Sequence, residues 1–299
     1  MTAENVLKHW QRLTQVLAAR AAHTHLAQLV VGYVGFGQEF AVPLRKRVLP
    51  NVTPVLLIDF GPAVRGLFHP DGAGWTTSAM ASPVTGLLDA PVDIELTGRH
   101  LGVGVVLTPP GAFALFGVPM SELTNQRHSL TDVLGAAEAE RIAGQLASLH
   151  GWPERFDRVE RLLAELVATG PTPSPAVLAA WHRLQATAGQ VPIARLADEV
   201  GLSKRRLQML FGEQVGVTPK SAARILRFRK ALRLITDPSR THSLASVAVA
   251  CGFSDQAHLS REVRALAGVP PRHLRPEPGR PPAPGGGRAP APRGVLPAA

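Results

Sequence analysis

The sequence predicts an α+β protein: a mostly-β N-terminal domain with flanking helices, joined to an all-α C-terminal domain built on a repeated two-helix unit. Three observations predict it. Residues 28–119 form short apolar or alternating runs cut by Gly, Pro and Asp; beyond 121, apolar residues recur at helical spacing; and two stretches in the last third of the chain align with each other.

Size and composition allow this layout. At 299 residues and 45% hydrophobic content, the chain is long enough for two domains with cores. No apolar run approaches the ~18 residues of a membrane-spanning helix, and MTAENVLKHWQRL lacks the basic-then-apolar layout of a secretory leader. The single cysteine, Cys251, excludes an internal disulfide and a cysteine-built zinc site. A reducing, cytoplasmic location is expected, with no membrane partner. The net charge of +10 is unevenly placed: residues 191–275 carry +9, residues 1–190 carry −1 and the last 24 carry +2. A polyanionic partner is therefore expected at one segment only.

In chain order, a first helix is expected around residues 4–20. The strand-like runs LVVGYVGFG, PVLLIDFG, VTGLLDAPVDIELTG and LGVGVVLTPPGAFALFG follow, and then the helical GAAEAERIAGQLASLHG and PERFDRVERLLAELV. In the last of these, Phe156, Val159, Leu162, Leu163 and Leu166 form one stripe, suited to a dimer contact or to packing on its own domain. ATGPTPSP, residues 168–175, is the linker candidate. The expected divisions are residues 1–167, a first domain; 168–188, linker and first helix start; 189–275, a basic helical domain; and 276–299, a disordered Pro/Gly/Ala/Arg tail.

The repeat carries the functional argument. Ala194, Ala197, Gly201 and Ser203 match Ala245, Ala248, Gly252 and Ser254 at one offset; after one inserted residue, Leu207, Gly216, Val217 and Pro219 match Leu259, Gly268, Val269 and Pro271. Each copy reads as a short helix, a Gly turn, a Ser cap and a second helix ended by Gly, the layout of a helix-turn-helix. Cys251 closes the first helix of copy two and is expected to be a small buried residue. In copy one, Leu207, Leu210 and Phe211 share a face, leaving Arg205, Gln208 and Met209 outward. In copy two, Leu259, Val263 and Leu266 point inward and Gln256, Ala257, Ser260 and Arg261 outward, with Ser254 as the cap. Arg and Gln on such a face suit guanine and adenine edges in the major groove. Lys204, Arg206, Lys220, Arg224, Arg227 and Arg229 are expected at phosphates, where they fix register without reading sequence. TPKSAARILRFRKALRLITD, about 18 residues and roughly 27 Å as a helix, would connect the units.

These residues resemble the AraC/XylS transcription regulators over about residues 189–275. ADEVGLSKRRLQMLFGEQVGVTP resembles the first helix-turn-helix of that family, and GFSDQAHLSREVRALAGVPPRHLR is similar to its signature over the second. The resemblance implies base contacts from Arg205, Gln208 and Met209 in one unit and from Gln256, Ala257 and Arg261 in the other. It also implies double-stranded promoter or operator DNA as partner, and an N-terminal domain that senses a small-molecule effector, dimerises, or both. RNA polymerase and a second copy of the chain are further candidate partners. Residues 28–119 and the helices after them are similar to the cupin-like domain of many members. Leu259 and Val263 stand where the family usually has Phe, which implies a smaller core under the second unit, and Ala257 lacks a polar reach.

No catalytic constellation, cofactor site or metal site is expected. His23 and His25 lack a nearby third ligand in sequence, and His69 and His100 do not complete a metal-binding cupin pattern. The expected function is a sequence-specific DNA-binding transcription regulator, not an enzyme; the alternative is a cupin-like small-molecule enzyme with an appended DNA-binding domain.

Overall fold

A computed structural model describes residues 15–61, 64–68, 75–78, 82–237, 239 and 242–274. His69, most of the expected opening helix and the Pro/Gly/Ala/Arg tail lie outside the described residues. Where that opening helix does reach described residues, the chain is a strand instead. β1 (Val16–Ala21) pairs antiparallel with β2 (Val30–Val48). Its VLAARA alternates half-buried and exposed positions, a two-residue period that pairs it with a sheet edge.

The described strands of the N-terminal half, eight in number, form one antiparallel sheet. After β2 come β3 (Val55–Asp59), β4 (Val64–Phe68), β5 (Trp75–Ser78), β6 (Pro83–Thr85), β7 (Val92–Leu107) and β8 (Arg127–Ser129). The order is β1-β2-β7-β3-β6-β8, with β4 also on β7 and β5 on β4. β2 and β7 form a long ribbon, registered from Val30↔Leu107 to Val48↔Val92 with an irregularity between Phe40 and Leu44. Tyr33, Ile58, Val103 and Val105 on the sheet pack against α1 (Pro109–Phe116), α2 (Met120–Leu123), α3 (Leu130–Leu134), α4 (Ala136–Ser148) and α5 (Trp152–Thr169).

PPGAFALF, expected within a strand run, is the helix α1. The signal lies just before it: Thr108 Oγ1 accepts from Gly111 N at 3.1 Å as N-cap, and two prolines occupy the first turn, where a missing N–H costs nothing. In the apolar stripe of α5, Phe156, Val159, Leu162 and Leu163 are buried in the core of their own domain, and Leu166 is half-buried against it.

A polar cluster fastens β1 to α5. Glu160, 4% exposed, accepts from Arg20 Nη2 at 2.9 Å and from the His23 backbone N at 2.8 Å, and its Oε2 lies 2.6 Å from His23 Nδ1. Arg20 also reaches Asp157 at 2.5 Å and lies over the rings of Tyr33 and Phe156. The carboxylate beside His23 comes from 137 residues away. Of the other described histidines of that group, His25 is exposed with its ring stacked 6.3 Å from that of His23, and His100 is buried, with Nε2 3.0 Å from Thr97 O and its ring edge-on to Phe40.

The helical half consists of α6 (Pro175–Ala186), α7 (Ile193–Glu199), α8 (Lys204–Gln214), α9 (Pro219–Ile235), α10 (Leu244–Ala250) and α11 (Gln256–Ala267), closed by a 3₁₀ turn at Pro271–Leu274. Val177, Ala180, Trp181 and Leu184 of α6 lie in the core of the first unit, so the helical domain reaches back to the end of the proline-rich segment. α9 serves two cores. Its Ala222, Ala223 and Ile225 belong to the first, and Phe228, Ala231, Leu232 and Ile235 to the second.

Removing Glu160 takes away the buried acceptor of the His23 N–H and of one arm of Arg20, which keeps its pair with Asp157. Glu160→Ala is therefore expected to destabilise the N-terminal domain by about 1–3 kcal/mol, and Asp157→Ala, at the exposed end of the same cluster, by less than about 1 kcal/mol. Urea unfolding of the two variants followed by tryptophan fluorescence checks the difference.

Candidate nucleic-acid interface

In the first unit, α7 stops at Gly201, whose φ of +69° reverses the chain, and α8 starts after Ser203, whose Oγ accepts from Arg206 N at 3.2 Å. Leu207, Leu210 and Phe211 are buried against α6. That fixes the rotation of α8, so Lys204, Arg205, Arg206, Gln208 and Met209 are all exposed. Met209, at 52% exposure, is one of few large apolar side chains left in solvent among the described residues.

The second unit repeats the turn at Gly252, with φ +72°. Its cap differs from expectation. Asp255, not Ser254, caps α11: its Oδ1 accepts from His258 N at 2.7 Å, while Ser254 Oγ lies 3.1 Å from His258 Nδ1. The inserted residue of the repeat thus falls between the turn and the helix. Aligned on their caps, Arg205 corresponds to Ala257, Gln208 to Ser260, Met209 to Arg261 and Lys204 to Gln256. Gln256, Ala257 and Arg261 are exposed and Ser260 half-buried. The hydrogen bond from the His258 backbone holds the Asp255 carboxyl below the usual carboxylate range.

Leu259, Val263 and Leu266 are buried as expected, and Cys251 is fully buried beside them, where desolvation pushes its thiol up. Phe228 from α9 and Phe253 from the turn supply the aromatic bulk that Leu259 and Val263 lack.

The six expected phosphate-binding cations separate into groups. Lys204, Arg206 and Lys220 are exposed, and Arg229 is half-buried. Arg224 forms a 2.5 Å ion pair with Glu262 of α11. Arg227 departs furthest from the expectation: its Nη1 donates to Gly189 O at 2.9 Å, and its guanidinium lies 5.9 Å from the Phe253 ring centre. Its Nε is buried and meets no acceptor, although the residue as a whole is half-buried.

The N-terminal half touches both units at equivalent places, the glycines that end their second helices. A Cβ on Gly216 would lie 2.5 Å from Thr124 Oγ1 and 2.7 Å from Met120 O, so only glycine fits; Thr124 Oγ1 donates to Gly216 O at 2.9 Å. A Cβ on Gly268 would lie 3.0 Å from Nη1 of Arg47, a side chain held by two 2.7 Å hydrogen bonds to Asp93. Val52 and Leu87 enter the first helical core, and Leu49 packs on the second.

Comparison with known proteins divides the chain in the same way. Residues 196–277 match a family described as a helix-turn-helix domain, and residues 20–129 match a domain of unknown function (DUF6597). The HTH-type transcriptional activator RhaS of Escherichia fergusonii is 37% identical over 82 residues, 27% of this chain and 28% of RhaS. The HTH-type transcriptional regulator GlxA of Rhizobium meliloti is 34% identical over 177 residues, 56% of this chain and 51% of GlxA. The chain therefore spans about half or less of the length of these curated relatives. Among solved structures, ToxT from Vibrio cholerae aligns over 81% of this chain and 97% of its own, at 9% identity and a TM-score of 0.42. Among the described residues, no helix is long and apolar enough to cross a membrane.

Because the cap has moved by one residue, Asp255→Ala is expected to destabilise the second unit by about 0.5–2 kcal/mol and Ser254→Ala by a few tenths at most. Thermal unfolding followed by circular dichroism compares the two variants.

Proposed function

We propose that this chain, which carries an AraC-type helix-turn-helix domain over residues 196–277, is a sequence-specific DNA-binding transcription regulator controlled by a small-molecule effector at its N-terminal domain. One observation carries the reading. Two helix-turn-helix units hang on a single helix, α9, and each exposes the polar N-terminal face of its second helix. Such a face enters the major groove. Arg205 and Gln208 have the forked and amide groups that pair with guanine and adenine edges, and Met209 offers apolar contact to a thymine methyl. Gln256, Ala257 and Arg261 are the corresponding readers of the second unit.

Lys204, Arg206, Lys220 and Arg229 are the phosphate-facing set. They position the domain and supply its salt-dependent affinity. α9 has 17 residues, about 25 Å at 1.5 Å per residue, whereas major grooves on one face of B-DNA recur at about 34 Å. Docking both units on one target then favours DNA that bends toward the protein.

In this reading residues 1–167 form the sensing domain and residues 189–275 the reading domain, acting on double-stranded DNA in the cytoplasm without catalysing a reaction. The contacts at Gly216 and Gly268 give the sensing domain a hold on both reading helices. RNA polymerase and a second copy of the chain are the macromolecular partners a promoter-bound regulator of this kind engages.

Selection of duplexes from a random-sequence pool with the full-length protein tests the reading; recovery of no preferred sequence would overturn it. On the selected duplex, Arg205→Ala is expected to weaken binding by about 1–3 kcal/mol and to relax preference at one base pair. Lys220→Ala is expected to weaken selected and random DNA alike and to lower the slope of log affinity against log salt by about one. Equal losses on selected and random DNA for Arg205→Ala would remove that residue from the base-reading set.

A further inference from the structure

Arg227 sits where the two units meet, and its surroundings differ from those of a phosphate-binding cation. It lies on α9 between Ile225, the last α9 residue buried in the first core, and Phe228, the first buried in the second. Its guanidinium spans the junction. On one side Nη1 holds the carbonyl of Gly189, in the loop that leads from α6 into α7 of the first unit. On the other the guanidinium lies against Phe253, the buried turn residue between α10 and α11 of the second.

Both partners are themselves fixed. A Cβ on Gly189 would lie 2.2 Å from Ala223 O, so that loop lies directly on the α9 backbone. Phe253 is 5% exposed and also packs edge-on against His258 at 5.3 Å. Next to the junction, Lys230 Nζ donates to Ala250 O at 2.6 Å, Gln190 Nε2 approaches the same carbonyl at 3.5 Å, and Arg224 ties α9 to Glu262 of α11. The charged groups facing Arg227 are Arg224 and Glu262, and burial pulls its guanidinium below the usual arginine range.

We propose that Arg227 is a positioning residue that sets the separation and angle of the two reading helices, so that the domain recognises the spacing between its two DNA boxes as well as their sequences. A planar guanidinium can hold a carbonyl through an N–H and lie on an aromatic ring at the same time. A rigid link makes binding of the second unit effectively intramolecular, but only for a target whose box spacing matches the link. The proposal rests on the DNA-binding reading above and adds to it a residue that touches no DNA.

The test uses the full-length protein on three duplexes: the selected sequence, the same sequence with one base pair inserted between the two footprinted boxes, and the same sequence with one box scrambled. Arg227→Ala is expected to bind the selected duplex about tenfold more weakly, to match wild type on the single-box duplex, to lose most of the penalty for the inserted base pair, and to keep the wild-type salt slope. Phe253→Leu, altered at a buried residue, is expected to show the same loss of spacing discrimination. Arg227→Lys keeps the charge without the planar fork and is expected to resemble Arg227→Ala; it carries the test if the alanine variant does not fold. Equal weakening on all three duplexes with a salt slope lowered by about one would overturn the proposal in favour of a phosphate contact. Wild-type behaviour of the lysine variant, or unaltered spacing discrimination in Phe253→Leu, would also overturn it. If the wild-type protein selects no duplex at all, the DNA-binding reading fails first and the proposal falls with it.

Discussion

The helical half depends on one helix belonging to two cores. Ile225 and Phe228 are three residues apart on α9, yet the first is buried under one helix-turn-helix and the second under the other. Neither unit can complete its core without α9. A two-helix unit with its turn buries too little apolar surface to be stable alone, and a shared third helix supplies the missing face to each. The polar outer faces of α8 and α11 follow from this. Once Leu207, Leu210 and Phe211 on one helix, and Leu259, Val263 and Leu266 on the other, are drawn onto their cores, the 3.6-residue period turns Arg205, Gln208 and Arg261 outward.

Much of this was legible in the sequence, because a helix-turn-helix is specified locally. The turn glycines, the cap of α8 and the inward stripes all lie within a few residues of what they act on. The cap of α11 was less legible: a single inserted residue can be placed on either side of Ser254 in an alignment, and only backbone geometry shows Asp255 accepting from His258. The helix at 109–116 was obscured by composition. PPGAFALF is almost wholly buried and so carries no amphipathic period, leaving Thr108 and its two prolines as the local signs of a helix start. The partners of Arg224 and Arg227 were hidden for another reason. Sequence shows a charge but not its partner, and Glu262 and Gly189 are each 38 residues away.

The same limit applies at the other end of the chain. His23 looks unremarkable until β1 crosses α5, where the buried carboxylate of Glu160 meets its backbone N–H and its ring. This cluster joins an edge strand to the helix that leads into the second half of the molecule. It places an ionic contact where an edge strand would otherwise be held by its ladder with β2 alone.

The ribbon formed by β2 and β7 has a mechanical consequence. Its inner end lies in the sheet core, while its outer end carries Arg47 to Gly268, with Leu49 just beyond it on the second helical core. The covalent connection between the halves, by contrast, enters the first unit, where Gln214 Oε1 fastens Ser174 N at 2.9 Å. A body held at a single joint can swing about it, but one held at two points on different partners loses that freedom and keeps only the twist about the line joining them. The sheet and the two reading helices thus form a closed mechanical loop, in which a strain entered at any one joint must be shared by the other two.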